Sequence, residues 1–244
     1  MWELMTQVAW LDLAAPAFFL LAWSGYVLVA DGPIGMRRSL MGRMHELRRL
    51  WMQRMLAREN RIGDMQVVII LAQSNAFFAS TALLIIGAGL AILGAHEQAI
   101  NILQQMPWVA NTPLFLWELK VMLIEIVFVY AFFKLTWSLR QFNYVAILIG
   151  AAPPHTEAEQ AHTQRYAETA AGVASRAAEH FNKALRTYYF GLAALSWFIQ
   201  PVLFMALTAL VVIVVYRREF RSRTMDILGP VGAALPGAAP LASG

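Results

Sequence analysis

Four apolar stretches, each long enough to cross a lipid bilayer, constrain this chain more than any other feature of its sequence. They lie near residues 8–30, 67–95, 114–150 and 185–216. A transmembrane helix needs about 20 consecutive, mostly apolar residues, and all four stretches reach that length. Of the 244 residues, 59% are hydrophobic and 14% are charged, whereas soluble domains have about 45–50% and about 25%. The sequence therefore predicts an all-α fold, a multispan transmembrane helical bundle of about four spans with cytoplasmic helical extensions.

The distribution of Lys and Arg predicts the orientation of these spans. Eight of these basic residues lie between the first and second spans, none lies in the 96–113 loop, and three lie between the third and fourth spans. Short loops rich in Lys and Arg remain in the cytoplasm. We therefore expect a multi-pass protein of the bacterial inner (plasma) membrane, with its N-terminus outside and the 37–61 loop in the cytoplasm.

The basic segment 217–223 disagrees with this orientation, because four full crossings place it outside. Its four arginines would return to the cytoplasm if the fourth stretch broke at Gln200-Pro201 and re-entered the membrane, since proline interrupts helices. The length of the stretch favours a full crossing.

The segments outside the spans divide into three kinds. Residues 36–61 have apolar side chains at helical spacing with arginines on the other faces, which predicts an amphipathic cytoplasmic helix. Residues 155–186 predict a second cytoplasmic helix that continues into the fourth span. Residues 1–225 are expected to form a single membrane domain, and the Gly, Ala and Pro content of 226–244 predicts a disordered tail. The candidates for binding anionic lipid are the arginines of the amphipathic helix: Arg37, Arg38, Arg43, Arg48, Arg49 and Arg54.

The third span carries charged residues that a lipid-facing helix would not tolerate. A charged group near the bilayer centre costs at least about 2.5–3.5 kcal/mol and normally faces protein or a water-filled cavity. Glu125 is the strongest candidate because its short side chain cannot reach the interface. One interpretation is an ion or proton path, and the other is that Glu125 and Lys134 are structural ion-pair partners. The candidate pathway or buried polar residues are Glu125, Lys134, Arg140, Gln141, Asn143, Ser74, Asn75 and Thr81.

Several chemistries lack the residues they require. The chain has no cysteine, which excludes thiolate catalysis and cysteine metal sites. No histidine lies within a predicted span, which disfavours a bis-histidine haem in the bilayer. No phosphate-binding loop or nucleophile elbow is present. We expect no catalytic residues, no metal and no cofactor, and therefore no enzyme; a net charge of +4 without a recognition motif does not indicate nucleic acid.

Several short segments of the chain are distinctive. The most specific is Phe133-Lys-Leu-Thr-Trp-Ser-Leu-Arg-Gln-Phe-Asn-Tyr144. The others are Asn60-Arg-Ile-Gly-Asp64, Phe77-Phe-Ala-Ser-Thr81 within the run from Gln73, Phe181-Asn182, Arg186-Thr-Tyr-Tyr-Phe190, Trp197-Phe198 with Pro201, and Arg217-Arg-Glu-Phe-Arg221. Together they resemble the family of domain of unknown function 599, integral membrane proteins of bacteria and plants, and the resemblance extends from the first span to about Arg223. It implies a multispan membrane protein and supplies no reaction and no catalytic residue.

Two functions remain open from the sequence. The first is an oligomeric channel or transporter-like protein in which the intramembrane charges line an ion or proton path. The second is a membrane-organising or scaffold protein that acts through its cytoplasmic basic helices. Both make the bilayer, with its anionic lipids, a partner, and the polar residues on the spans favour a homo-oligomer.

Overall fold

Helices make up the described part of the chain, which in the computed structural model comprises residues 10–32, 35, 39–95 and 113–233. The α-helices are α1 (Trp10–Ala30), α2 (Leu40–Leu56), α3 (Ile62–Gly94), α4 (Leu114–Gly150), α5 (Ala161–Leu195), α6 (Pro201–Phe220) and α7 (Arg223–Ala233). Short 3-10 turns precede α5 at His155–Glu157 and follow it at Ser196–Phe198. These residues contain no strand, which confirms the all-α prediction.

Within the described residues, three stretches are long and apolar enough to cross a membrane: Trp10–Ala30, Ile62–Gly94 and Pro201–Leu228. They overlap three of the predicted spans, and α4 has the bounds predicted for the remaining one. Together they indicate a helical membrane protein.

The predicted fourth span, 185–216, is two helices in the structure and not one. α5 ends at Leu195, a 3-10 turn follows, and Pro201 begins α6. Proline lacks the N–H that would continue the helix and clashes with the carbonyl four residues earlier. The hydroxyl of Ser196 also donates to the Ala193 carbonyl at 2.6 Å, so the last turn of α5 is satisfied locally.

The chain turns back on itself at this break. The rings of Phe190 on α5 and Phe204 on α6 both contact Phe19 of α1, with centroid distances of 5.8 Å and 5.2 Å. Phe190 and Phe204 are therefore at most about 11 Å apart, whereas 14 residues of continuous helix would separate them by about 21 Å at 1.5 Å per residue. Residues 196–200 thus connect two helices that lie beside each other.

The helices outside the predicted spans differ from the expected bounds in three places. The amphipathic helix is Leu40–Leu56 and begins at the N-cap Ser39, whose hydroxyl accepts from the Gly42 N–H; residues 36–38 lie outside the described part. The predicted helix 155–186 begins later, at Ala161, and runs to Leu195. α7 continues to Ala233, so the first residues of the predicted tail are helical, and residues 234–244 lie outside the described part.

The residues divide into two compact units. Unit 1 comprises residues up to Leu28, Ala76–Thr136 and Phe181–Val214. Its core is aromatic, because bulky rings from several helices interlock: the indole of Trp197 stacks on Phe204 at 5.4 Å. The largest buried side chains of this core are Phe19, Leu116, Phe128, Phe190, Trp197 and Phe204.

Unit 2 comprises Val29–Asn75, Trp137–His180 and Val215–Gly244. Its core combines large residues from α2, α3 and α4 with a row of alanines on α5, whose small side chains let helices approach closely. The buried members are Met52, Met55, Leu56, Val68, Phe142, Val145, Ile149, Ala167, Ala170, Ala171, Ala174 and Ala177. Unit 2 contains every described arginine except Arg186, and all three lysines lie in unit 1.

Candidate functional site

Glu125 is buried in unit 1, about one third of the way along α4. Its side chain is among apolar neighbours on the same helix, such as Val121 and Phe128, and the residue is only 8% exposed. The Oε1 atom has no hydrogen-bond partner among the described residues. The carboxylate lies against Gly89 of α3, where an added Cβ would collide with Oε1. A glycine on α3 therefore makes the space that this carboxylate occupies.

Lys134 lies on the same helix but on a different face. Nine residues separate it from Glu125, which corresponds to about half a turn of rotation and about 13 Å along the axis. Its Nζ atom lies 5.2 Å from the ring centroid of Tyr130, one turn earlier, and the side chain is half-buried. Glu125 forms none of the ion pairs found among the described residues. The geometry gives no support to a structural ion pair between Glu125 and Lys134.

A second buried charge in unit 1 does have a partner. The Nζ atom of Lys120 lies 3.6 Å from an Asp12 oxygen, and the two side chains are 3% and 16% exposed. The indole N–H of Trp197 donates to the same Asp12 oxygen at 3.1 Å, and Lys120 lies 5.5 Å from the Trp197 ring centroid. This cluster joins the first turn of α1, the second turn of α4 and the 196–198 turn.

Sequence reasoning predicted charged residues on the third span and missed this cluster of Lys120 with Asp12 and Trp197. Asp12 and Trp197 are 185 residues apart, and no local spacing relates them. The available signal was that an acidic residue in the first span needs a counter-charge on another span.

The polar candidates on α3 satisfy much of their hydrogen bonding within that helix. Ser74 and Thr81 donate their hydroxyls to the carbonyls four residues earlier, at 3.1 Å and 2.9 Å. Asn75 is buried and donates its amide to the Leu71 carbonyl at 2.9 Å. Its Oδ1 atom has no partner among the described residues.

The candidates near the end of α4 differ in exposure. Arg140 is exposed and its Nε donates to the Tyr144 hydroxyl at 2.6 Å. Gln141 is half-buried with its Oε1 unpartnered within the described residues, and Asn143 is exposed. These three residues belong to unit 2 with Ser74 and Asn75, whereas Glu125, Lys134 and Thr81 belong to unit 1.

Half of the predicted lipid-binding arginines on α2 face protein instead. Arg49 pairs with Glu46 at 3.2 Å and with Glu168 at 3.4 Å. Burial lowers the pKa of the Arg48 guanidinium, and the nearby Glu179 opposes that shift. Arg54 is exposed and Arg43 is half-buried, while Arg37 and Arg38 lie outside the described residues.

The segment from Asn60 to Asp64 joins three helices of unit 2. Asp64 is 2% exposed and accepts from the indole of Trp51 at 2.7 Å, and it pairs with Arg58. The Arg61 guanidinium donates to the carbonyls of Ala152, at 2.8 Å, and of Pro153. These carbonyls follow the end of α4, where a cation stabilises the helix dipole. Sequence reasoning recognised this segment only as part of the family resemblance, and its role in the fold is to hold α2 and the end of α4.

No group of three or more His, Cys, Asp or Glu side chains suited to a metal ion occurs among the described residues. Among the acidic residues above, Asp12 pairs with Lys120, and Asp64 pairs with Arg58 and accepts from Trp51. The Oε1 atom of Glu125 has no hydrogen-bond partner among the described residues.

Comparison with known proteins identifies one family. The family model "Protein of unknown function, DUF599" matches residues 14–224. No curated protein matches the chain, and no solved structure matches it. The match covers α1 to α6, which agrees with the resemblance found in the short segments. The chain belongs to the DUF599 family of proteins of unknown function.

Proposed function

We propose that this protein is a membrane transport protein, a channel or transporter, that moves protons through a path containing Glu125. The observation that supports the proposal is the Glu125 carboxylate, buried within α4 with an oxygen that no described residue satisfies. An ionisable group inside a membrane helix is costly and is retained where it carries out a function. A carboxylate with no fixed partner is free to take up and release a proton.

A proton suits this environment better than a metal cation. Sodium, potassium and divalent ions must exchange their hydration shell for several oxygen ligands. Glu125 supplies one carboxylate, which lies against Gly89, and no group of three or more acidic or histidine side chains suited to a metal ion occurs among the described residues. A single carboxylate is sufficient to carry a proton.

The turn at 196–200 supports a topology of five crossings, by α1, α3, α4, the C-terminal part of α5, and α6. With the N-terminus outside, the reversal after α5 returns α6 to the cytoplasmic side. All basic segments then share one side of the inner membrane, including 217–223, which agrees with the positive-inside rule. In this topology the basic segment 217–223 no longer lies outside, as it does with four crossings.

A homo-oligomer is part of the proposal. Gln73 and Ser80 are seven residues apart on α3, share a face, and are both exposed. Polar side chains on a membrane helix are satisfied by hydrogen bonds to another helix, and a second copy of this chain supplies one. Light scattering of the purified protein measures the number of copies.

Proton flux into liposomes tests the function. The purified protein is reconstituted with a pH-sensitive dye inside, and a potassium gradient with valinomycin drives proton entry. We expect Glu125→Gln to reduce the flux by about tenfold or more, because an amide does not take up and release a proton near neutral pH. Glu118→Gln is the matched control, since Glu118 is half-buried on the same helix. Absence of flux in the wild type, or equal flux in Glu125→Gln, would overturn the proposal.

A membrane-organising role is the second candidate. It is favoured by the outward position of Arg54 on α2 and by the packing of α7 on α2. Met52, Met55 and Leu56 of α2 are buried in the core of unit 2, whereas Arg54 is exposed and accessible to lipid. This role predicts that phosphatidylglycerol clusters around the protein in vesicles. Clustering that persists in Arg54→Gln would exclude the Arg54 face of α2 as the lipid-binding surface.

A further inference from the structure

The most specific family segment, 133–144, ends in an exposed aromatic and basic surface. Trp137, Arg140 and Tyr144 are spaced by three and four residues and so share one face of α4. Trp137 is 47% exposed and Tyr144 is 40% exposed, and Arg140 is exposed between them. Ile147, one turn further along the same face, is 66% exposed. Buried residues of the segment, such as Phe142, face the core of unit 2, whereas these side chains remain largely exposed.

The Arg140 guanidinium is held in place by its neighbours. Its Nε donates to the Tyr144 hydroxyl at 2.6 Å, and its Cζ atom lies 5.8 Å from the ring centroids of both Trp137 and Tyr144. Each ring attracts the cation through its π face. The two Nη groups retain their donors, and none of the ion pairs among the described residues includes Arg140.

A second arginine lies at the same level on α5. The Ser138 hydroxyl donates to the Ala177 carbonyl at 2.6 Å, and the Trp137 ring contacts the His180 ring at 6.4 Å. Because these contacts pair α4 with an antiparallel α5, Arg176 lies at about the same level along the pair as Arg140. Arg176 is exposed, precedes His180 by one turn, and is also outside the ion pairs found among the described residues.

We propose that Trp137, Arg140, Tyr144 and Arg176 form a binding site for the phosphate of an anionic phospholipid. Guanidinium groups bind phosphate oxygens through paired charge-assisted hydrogen bonds. Tryptophan and tyrosine rings are enriched where a membrane helix meets the headgroups. The tryptophan and tyrosine rings on either side of Arg140 favour a lipid over a soluble phosphate compound, because these residue types occupy the headgroup region of a membrane. The occupant is therefore a lipid whose headgroup is a phosphodiester with net negative charge.

This site is distinct from the α2 arginines named from the sequence. Those arginines follow one another along an amphipathic helix, and Arg48 and Arg49 face carboxylates. Arg140 and Arg176 lie on two helices and flank a tryptophan. The site does not depend on the proposed proton path, because Glu125 belongs to unit 1 and takes no part in it.

Native mass spectrometry of the full-length protein, released from nanodiscs with equal phosphatidylglycerol and phosphatidylcholine, tests the site. We expect the wild type to retain phosphatidylglycerol preferentially and Arg140→Gln to lose about tenfold of that preference, the effect of one charge-assisted interaction. Arg165→Gln removes the same charge at another exposed position on α5 and controls for net charge. Tyr144→Phe, which removes only the hydrogen bond to Arg140, is expected to have a smaller effect in the same direction.

Three results would overturn the assignment. One is equal retention of phosphatidylglycerol by Arg140→Gln and Arg165→Gln. Another is release of the bound lipid by excess inorganic phosphate, which would identify a site for soluble phosphate. The third is retention of phosphatidylcholine as strong as that of phosphatidylglycerol, since binding would then depend on acyl chains alone. A thermal melt of each variant verifies that an exposed substitution has left the fold intact.

Discussion

The carboxylate of Glu125 on α4 fills the space that a side chain at position 89 of α3 would need. The two residues therefore form one arrangement, in which the absence of a side chain on one helix accommodates a charged group of the other. No hydrogen bond from a described residue fixes the Oε1 atom there. The space itself holds the carboxylate, so its position depends directly on Gly89.

Replacement of Gly89 by alanine tests this dependence. We expect Gly89→Ala to displace the Glu125 carboxylate, the far end of a flexible side chain, and to be less stable than Gly87→Ala, because both gain the helix propensity of alanine but only position 89 is overpacked. Proton flux in liposomes is expected to fall with it. Gly87→Ala is the control on the same helix, because a Cβ at position 87 meets nothing within 4 Å. Identical melting temperatures for the two variants would contradict this account of the packing.

The Asp12–Lys120 pair predicts a rescue by double substitution. Asp12→Asn leaves the Lys120 ammonium buried without its counter-charge, and such a loss costs about 3–5 kcal/mol in a buried pair. Lys120→Met in the same chain removes that charge, so we expect the double variant to be more stable than Asp12→Asn alone. Thermal unfolding in detergent measures all three proteins. A double variant less stable than the single one would indicate that Lys120 has a more important contact than Asp12.

The Asp64 carboxylate predicts a large local effect from a small chemical change. Asp64→Asn removes the charge that Arg58 pairs with and weakens the bond from Trp51. We expect a loss of about 1–3 kcal/mol, the cost of an unsatisfied buried group. Glu59→Gln removes a carboxylate from an exposed neighbouring position and is expected to change stability by less than about 0.5 kcal/mol. Equal unfolding temperatures for the two variants would mean that Asp64 does not hold α2.

Thiol labelling decides between four and five crossings, because the chain has no cysteine of its own. Thr224→Cys introduces a unique thiol at an exposed position after α6. Five crossings place it in the cytoplasm, so a membrane-impermeant maleimide added to intact cells should leave it unlabelled until the membrane is opened. Ala57→Cys, at the exposed end of α2 in the loop with the most basic residues, should behave in the same way. Labelling of position 224 alone in intact cells would restore the four-crossing topology.

The sequence predicted helices well wherever the signal was local. The bounds of α4 agree with the predicted third span because no proline or glycine interrupts its apolar residues between 114 and 149. The sequence allows either a break at Pro201 or a continuous helix, and the length of the stretch favours the continuous helix. The contacts that accompany the break involve Phe19, which packs against residues on both sides of the turn. Contacts across that length of chain leave no periodic pattern.

The residues of the candidate site also differ in how far the sequence predicts them. Glu125 stood out because a charged residue in an apolar helix is conspicuous in any sequence. The contact between its carboxylate and Gly89 depends on how α3 and α4 pack. In the sequence, Gly89 looks like any other small residue of a membrane helix. Trp137, Arg140 and Tyr144 were visible as a motif, but only the structure distinguishes the exposed residues from those that support the core.

The bonds from Arg61 impose an order on biosynthesis. This arginine donates to carbonyls 91 and 92 residues later in the chain, and ribosomes add about 5–20 residues per second. The two acceptor carbonyls are therefore synthesised about 5–20 s after Arg61, when α2 and the start of α3 have already been made. Throughout that interval the junction between α2 and α3 lacks the support it has in the finished protein, and the emergence of Pro153 is the event that completes it.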